Sequence, residues 1–512
     1  MDIGKALSIN ASRHPEKIAI IFEEKSVTYR QLNALVNQLA WGLLELGLKK
    51  GEKISIMMMN SDLFVISYLA AAKIGAIIVP INFRLVEREV NYIIKQSDSV
   101  MVICDDLYEN TVRKATEEVS VIRNIITVPT TTDLQQTNFY SILSTKKTDP
   151  LVTINNVDDI HIIYTSGTTG FPKGAVFDHE RMNKLCTGFI GMLGLNSEDR
   201  LLHIAPLFHC AQLCIFLLPG ILLGTTNVIH REFKPTNVLE AIELNQITLF
   251  FGVPTMYNFL LQVSNVHDYD LSSVKRCVYG AAPMAPELVK GSMKLFGTEQ
   301  FYNLCGQTEG GPTGVYLTPE EHKRHIGKSG RTPMLFTEVR VVNENGRDVL
   351  PGEVGEMILR SEVIMKEYYN KPIETGETLK DGWLHTGDLA EVDVEGFITL
   401  VDRKKDMVIT GGENVYTVEI EHVLYEHPAV LEVAVIGTPD RNWGEIVTAY
   451  VALKPKQHIT KEELMTFCRE RLAGYKVPRL IEFIESLPRN ASGKIQKFIL
   501  RESFQSNSKS MK

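Results

Sequence analysis

The sequence predicts an α/β fold: a large N-terminal domain of doubly wound sheets with a small β-barrel-like unit, followed by a smaller, mobile α+β C-terminal domain. Three observations predict it. Apolar, β-rich runs alternate with stretches of helical period from residue 18 to about residue 310, the rhythm of parallel sheets covered on both faces. From 338 to 401 the period shortens to strand-length runs separated by Asn345-Gly346, Pro351-Gly352 and Asp381-Gly382, dipeptides that turn a chain. Beyond residue 407 helix and strand mix again, with strands Val430 to Ile436 and Ile446 to Leu453 and a helix over 460–472. At 512 residues the chain exceeds one compact core, and units of ~150 residues are expected.

The elements follow in order. Residues 18–23 and 27–29 read as a strand pair around Glu24-Lys25, and Tyr29 opens an amphipathic helix to about Leu48. Ile54 to Met58 resumes strand. Leu63 to Ile81 is long enough to span a bilayer and holds one charge, Lys73, but Gly75 and Pro80 divide it. Its first half is alanine-rich and helical, and its second half, Ala76 to Pro80, is β-branched, so a helix and a buried strand are expected and no transmembrane segment. Helix 86–97, strand Val100 to Ile103, helix 109–119 and strand 123–127 complete the first round. The polar stretch Thr130 to Thr148 reads as a mobile surface loop. A second round comprises helix 180–193, strand Arg200 to Ile204, a long apolar helix near 211–223, strand 226–230, helix 235–245 and strand 247–251. The charged pentad Asp402 to Asp406, between two β runs, is the expected hinge, dividing an N-terminal domain (1–401) from a C-terminal one (407–512).

Composition excludes several function classes. Net charge is −8 with acids and bases interspersed, so there is no basic stripe for a nucleic acid polymer, and any nucleotide bound is small. The seven cysteines are scattered without a C-x-x-C pair; Cys210 and Cys214 flank no second histidine or cysteine that would complete a zinc site with His209. Buried thiols in a reducing, cytoplasmic compartment are the default, and the N-terminus shows no secretory signal.

One stretch constrains chemistry more than any other: Tyr164-Thr165-Ser166-Gly167-Thr168-Thr169-Gly170-Phe171-Pro172-Lys173-Gly174. Hydroxyls at Thr165, Ser166, Thr168 and Thr169 alternate with Gly167 and Gly170, so backbone N–H groups and side chains can reach one anion from several sides. Lys173 adds a mobile cation. The run leaves the strand Ile160 to Tyr164 and re-enters strand at Ala175, which places it at the carboxyl end of a strand, where α/β folds hold ligands. It is not a P-loop, because Phe171-Pro172 separates the second glycine from the lysine and no helix follows.

This loop resembles the signature loop of the adenylate-forming enzymes, the superfamily of acyl-CoA synthetases, aryl-CoA ligases, luciferases and peptide-synthetase adenylation domains. Seven further pieces follow in the family's order: Pro206 to His209, Tyr279 to Pro283, Gly306 to Glu309, Thr386 to Asp388, Asp402 to Asp406, Gly411 to Asn414 and Pro488 to Lys494. The resemblance implies an acyl-CoA synthetase, in which a carboxylic acid and ATP give an acyl-adenylate and CoA then takes the acyl group. A carboxylate resists a thiol because its leaving group would be an oxide; joining it to AMP removes that obstacle.

What each residue would do follows from the resemblance, beside its own chemistry. Glu309 would hold Mg²⁺, since hard cations take carboxylate oxygens while keeping phosphate and water partners, and Thr308 would bond the α-phosphate next to Gln307. Asp388 would accept from ribose hydroxyls, assisted by Arg403. Gly280, Ala281 and Ala282 would wall the adenine site, small residues letting a substrate pass close to backbone. His209 would position the carboxylate. Lys494, in isolation a surface charge, would swing in to neutralise the forming adenylate, while Gly411, Gly412 and Glu413 would line the thiol tunnel after rotation about Asp402. No carrier-protein domain follows in this sequence, which favours free CoA as the acceptor. The pocket candidates Cys210, Leu213, Phe250, Val253 and Met256 are apolar, which points to a medium- or long-chain fatty acid; aryl and o-succinylbenzoyl acids and a carrier-protein acceptor are the alternatives. A homodimer is compatible with this reading. The chain departs from the family in one place: the aromatic residue usual before the glycine of G-x-T-E is Cys305 here.

Overall fold

The structure, a computed structural model, describes residues 2–130, 138–165, 172–404, 406–440, 443–489 and 495–510. Two sheets dominate it. In the first, six strands run in the order Asn124–Val128, Ser99–Asp105, Lys53–Met57, Ile77–Pro80, Asp159–Thr165, Lys173–Asp178. All neighbours are parallel except the last two, which form an antiparallel hairpin. The β-branched, doubly buried Ile54, Ile56, Ile78 and Val79 explain why these segments read as unbroken apolar runs.

The second sheet has nine strands, with five parallel pairings through Ile18–Phe22, Thr226–Ile229, Arg200–His203, Leu249–Gly252, Arg276–Gly280 and Phe301–Gly306. Its first edge is a surprise for the chain order. Ile18–Phe22, early in the sequence, pairs parallel with Thr226–Ile229 (Ile20 opposite Asn227), while Lys25–Thr28 caps the edge. Hydrogen bonds with partners two hundred residues away hold it there: the Tyr29 hydroxyl donates to the Thr225 carbonyl at 2.7 Å and Asn227 Nδ2 to the Ala19 carbonyl at 3.1 Å.

One element is added to those expected and two expectations are corrected. A helix, Ile3–Arg13, precedes the strand pair, capped by the Asp2 carboxylate accepting from Lys5 N–H at 2.7 Å. The part of the 130–148 stretch that the structure describes is not loose: Asn37 Nδ2, Gln38 Nε2 and Trp41 Nε1 on the helix Tyr29–Glu45 donate to the carbonyls of Lys147, Ser144 and Thr148 at 2.7, 3.0 and 2.9 Å, and Phe139 is buried. The apolar helix near 211–223 opens as a π-helix, Ala211–Leu217, before becoming α-helical at Leu218–Leu223. Pro219 accounts for it, because its ring crowds the carbonyl one turn back and offers no N–H to close an α turn. Elsewhere the segment 63–81 forms the expected helix, Asp62–Lys73, and strand, Ile77–Pro80. Among the described residues no helix is long and apolar enough to cross a membrane.

The small β unit is a five-stranded antiparallel sheet. Thr337–Val342 pairs with Val354–Ser361, which pairs with Trp383–Val392; the far edge of that strand takes Leu379–Lys380 at its start and Ile398–Arg403 at its end. The C-terminal unit packs the helices Thr417–Tyr425 and Lys461–Arg469 on a sheet whose long hairpin is Val430–Asp440 and Gly444–Leu453, around Val433, Val435, Val447, Val451 and Leu464.

Candidate active site

The site is assembled where several chain reversals meet at the carboxyl ends of strands. The first is the hairpin Asp159–Thr165/Lys173–Asp178, whose last pair is Thr165 opposite Lys173. Gly174 permits its close crossing, since a Cβ there would lie 2.5 Å from Ile162 Cγ2 and 3.0 Å from the Tyr164 ring. The tip, with Ser166, Gly167, Thr168, Thr169 and Gly170, lies outside the described residues.

The second reversal is the turn Thr308–Gly310, which follows the strand Phe301–Gly306. Glu309 Oε1 accepts from the Thr165 hydroxyl at 2.9 Å and from the Tyr368 hydroxyl at 2.9 Å. Its backbone is held as firmly: Met365 N–H donates to the Glu309 carbonyl at 2.9 Å, and Gly311, at φ +63°, approaches Val363 so closely that a Cβ would lie 2.2 Å from its carbonyl oxygen. Tyr368 bridges back to the hairpin opposite Ala175, and the Lys173 ammonium lies 5.1 Å from the centre of its ring. Burial, then the Glu309 charge, push the Tyr368 hydroxyl far above its usual range, so it stays a donor. Thr165, Lys173 and Glu309 are thus brought together around Tyr368. Tyr368 was missed; the tyrosine pair Tyr368-Tyr369 was the only sequence signal.

Gln307 is extended and half-buried, and its carbonyl accepts from Gly310 N–H at 3.0 Å. The Thr308 hydroxyl lies 3.0 Å from Cys210 Sγ. Burial pushes that thiol up to about 12 against the opposing pull of Thr308, so Cys210 is a neutral wall and not a nucleophile. The adjacent His209 is half-buried; its Nδ1 accepts from Ala211 N–H at 3.3 Å and lies 3.7 Å from Cys210 Sγ. With Nδ1 accepting from a backbone N–H, the proton of the neutral ring sits on Nε2.

Gly280 ends the strand Arg276–Gly280 beside that turn, and a Cβ on it would fall 2.4 Å from the Leu304 carbonyl oxygen. Ala281 turns the chain at φ +66°, and Ala281, Ala282 and Pro283 are exposed, a low wall at the carboxyl end of two parallel strands. Cys305 is buried in the core side of its strand, with its thiol raised to about 12 by burial and, secondarily, by the Asp388 charge. Asp388 therefore borders this region. It pairs in register with Arg403, whose Nε lies 3.0 Å from its carboxylate, and Gly387, at φ +70°, makes the bend before it.

One predicted part sits in the C-terminal unit. Gly411 and Gly412 are the central residues of a two-residue hairpin turn between Thr410 and Glu413, with φ of +59° and +90°, the primed turn that glycines favour. Gly411 packs against Trp443, where a Cβ would lie 2.7 Å from Cε3. Lys494 lies outside the described residues. Phe250 is corrected: it stacks on Phe296 at 5.3 Å and meets Tyr257 edge-on at 5.2 Å on the opposite face of the second sheet, whereas its neighbour Phe251 stacks on Phe216, 4.7 Å away, in the cluster that holds Cys210 and Leu213. Val253 and Met256 lie at the end of that strand, buried and half-buried.

The residues present fit a hard divalent cation. Glu309 takes both hydrogen bonds on Oε1, which leaves Oε2 without a partner among the described residues. No cluster of three or more His, Cys, Asp or Glu side chains among those residues could hold a metal alone, so an ion there would draw its other ligands from phosphate and water.

Comparison with known proteins bears on the whole length. The family model of the AMP-binding enzymes matches residues 7–369, and that of the AMP-binding enzyme C-terminal domain matches 419–494. A feruloyl-CoA synthase of Amycolatopsis sp is 36% identical over 495 residues, covering 96% of this chain and 97% of the relative. The long-chain-fatty-acid–CoA ligase FadD13 of Mycobacterium tuberculosis is 36% identical over 509 residues, covering 98% of each. Among solved structures, the anthranilate CoA ligase AuaEII in complex with anthranoyl-AMP superposes with a TM-score of 0.90 at 28% identity, over 98% of this chain and 97% of that one. ATP-bound MatB from Rhodopseudomonas palustris gives 0.89 at 26%, over 98% and 99%.

Proposed function

The chain belongs to the AMP-binding enzyme family, as an AMP-forming acid–CoA ligase of the adenylate-forming superfamily, and we propose that it activates a medium- or long-chain fatty acid. In the first half-reaction a carboxylate oxygen attacks the α-phosphorus of ATP, the bond to the β-phosphate oxygen breaks, and pyrophosphate leaves. In the second the CoA thiolate attacks the acyl carbon and AMP departs with the bridging oxygen. The observation that carries the reading is the convergence of Thr165 and Tyr368 on Glu309 at the carboxyl ends of strands, with the Lys173 ammonium over the Tyr368 ring.

Each side chain has one task in this reading. Lys173 and the hydroxyls of Ser166, Thr168 and Thr169 cradle the β- and γ-phosphates, with Gly167 and Gly170 admitting the backbone. Glu309 is the protein ligand of Mg²⁺; the ion, when bound, supplies charge neutralisation on the phosphates. Tyr368 and Thr165 keep Oε1 occupied, which leaves Oε2 as the oxygen that would hold the cation. The Thr308 hydroxyl faces the α-phosphate, and Gln307, Gly280, Ala281 and Ala282 border the base. Asp388, oriented by Arg403, accepts from the ribose. His209 donates from Nε2 to the acid and leaves it aligned for attack. Lys494 neutralises the forming adenylate, and after rotation about Asp402 the turn Gly411 to Glu413 presents the thiol path; free CoA is the acceptor.

The fatty-acid assignment is supported by the wall beyond Cys210: Leu213, Cys214, Phe216 and Phe251 are apolar and buried, and none of them could pair with a second carboxylate or an amino group. The similarity to FadD13 agrees with it. An aryl acid is the second reading, favoured by the equal identity to the feruloyl-CoA synthase. An acid panel decides: purified chain with ATP, Mg²⁺ and CoA, offered saturated acids of increasing length, ferulate, anthranilate and o-succinylbenzoate, with acyl-CoA measured directly. Highest kcat/KM on a chain of about eight carbons or more supports the reading; highest kcat/KM on an aryl acid replaces it with the second.

A further inference from the structure

The helix Lys497–Ser510 makes a pair of polar contacts that the reaction scheme above does not use. Lys497 Nζ donates to Thr417 Oγ1 at 2.6 Å and lies 2.9 Å from Glu421 Oε1. Thr417 in turn gives both of its donors to one oxygen of the hinge residue: its N–H reaches Asp402 Oδ2 at 2.6 Å and its hydroxyl reaches the same atom at 2.8 Å. One helical turn after Lys497, Arg501 Nη2 lies 2.8 Å from Asp406 Oδ1. The two acids that bracket the pentad 402–406 are therefore each tied to the C-terminal helix, one through Thr417 and one directly.

Asp402 is also held from the other side. Its backbone pairs with Leu389 in the strand Trp383–Val392, and Arg403 beside it pairs with Asp388. The hinge thus has its main chain in the N-terminal sheet and its carboxylate in the C-terminal unit. A largely desolvated ion pair is a poor way to gain stability, because desolvating two charges offsets their attraction and an apolar pair of similar volume does as well. What an ion pair adds is one geometry. Burial disfavours the Lys497 charge, yet Glu421, Asp402 and Asp406 together outweigh it and raise the ammonium above its usual range. Glu421 is fixed independently by accepting from Val435 N–H at 2.8 Å, so Lys497 has a rigid partner.

We propose that Lys497 and Arg501 form a latch that makes the C-terminal helix and the hinge one rigid lever, and that Lys497 is a positioning residue for the motif ending at Lys494, three residues before it in sequence. The role assigned to Lys494 rests on the ligase reading; the latch itself rests on the contacts above. The C-terminal helix and the hinge then move as one body about Asp402, and losing the latch lets the hinge flex while leaving the ATP-binding residues of the N-terminal domain in place.

The test uses the full chain and two readouts. Arg403 and Lys404 make the hinge a trypsin site, so limited proteolysis with fragments identified by mass reports its opening without any substrate. Acid-dependent exchange of labelled pyrophosphate into ATP reports adenylation. Lys497→Met leaves Glu421 buried and unpaired and risks unfolding, so Lys497→Met/Glu421→Gln, which removes both charges, is the deciding variant, with Lys497→Arg as the conservative rescue. The expected result for the double variant is hinge nicking at least about fivefold faster and exchange kcat lower by about tenfold with KM for ATP unchanged, both restored in Lys497→Arg. Equal nicking rates overturn the latch. Faster nicking with unaltered exchange overturns the positioning role. A parent chain that supports no exchange with any acid refutes the ligase reading instead, and nicking alone then decides the latch.

Discussion

The hydroxyl of Thr165 donates to Glu309 at 2.9 Å, a contact between residues 144 apart in sequence. It joins the hairpin Asp159–Thr165/Lys173–Asp178 of the first sheet to the turn after the strand Phe301–Gly306 of the second, so the two mainly parallel sheets share one polar seam. Chemistry at that seam depends on both sheets at once, and substitutions there are expected to change rates more than stability.

Glu309→Gln keeps the shape and both hydrogen bonds to Oε1 but removes the charge that a divalent ion needs. Pyrophosphate–ATP exchange is expected to fall by about 10²–10³, with an unchanged thermal midpoint. Tyr368→Phe, which leaves Thr165 to hold Glu309, is expected to cost about tenfold, mainly in kcat. Equal losses in the two variants would show that Tyr368 does more than orient the acid.

Gly411→Ala tests the primed turn. A methyl at φ +59° is strained, and its Cβ would lie 2.7 Å from Trp443 Cε3. Thioester formation should drop by about tenfold or more while acid-dependent exchange in the absence of CoA stays within about twofold. Gly412→Ala, with no atom within 4 Å of its Cβ, carries the strain alone and should do less. Parallel loss of both half-reactions in Gly411→Ala would remove this turn from the thiol step.

Asp105 gives the chain a pH-dependent stability unrelated to catalysis. Burial pushes its carboxyl up to about 7, against the pull of a hydrogen bond from Met59 N–H at 2.8 Å and the nearby Arg231 charge. A carboxyl whose folded value lies above its unfolded one, about 3.9, contributes stability in full below that lower value and loses it as pH rises towards 7. Asp105→Asn retains an acceptor for Met59 and does not titrate. Relative to the parent it should gain roughly 2–4 kcal/mol between pH 5 and 8, read by urea unfolding at each pH. A constant difference across that range would place the titration elsewhere.

All seven cysteines are free and buried. Burial raises each thiol, to about 12 for Cys210 and Cys305 and about 11 for Cys468, so little thiolate is available near neutral pH. A disulfide reagent such as Ellman's should label fewer than about one thiol per native chain within minutes and all seven in guanidinium. Fast labelling of Cys305 would mean that its position beside the nucleotide site is open to solvent.

How far the sequence could be read follows physical lines. The hairpin Asp159–Thr165/Lys173–Asp178 was legible because apolar strand runs flank a short polar stretch on both sides, and Asp388 and Arg403 were both named, the register placing them opposite each other. Phe250 was assigned to the wrong face because Leu249-Phe250-Phe251-Gly252 is buried on both sides, and a strand without polar alternation carries no phase. The sheet to which Ile18–Phe22 belongs is set by Tyr29 and Asn227 reaching across two hundred residues, which no local pattern encodes. Tyr368 and Lys497 escaped for the same reason: each is an ordinary residue until a partner 59 or 76 positions away is placed beside it.

The account turns on acyl-adenylate formation at the seam between the two sheets, and the most direct measurement is a single turnover without CoA. Enzyme in excess of labelled ATP, with Mg²⁺ and a long-chain fatty acid, should yield bound acyl-AMP and free pyrophosphate, with AMP and acyl-CoA appearing only when CoA is added; Glu309→Gln should yield neither product of the first step. Release of no pyrophosphate with any acid in the panel, or acyl-AMP formed at the parent rate by Glu309→Gln, would contradict it.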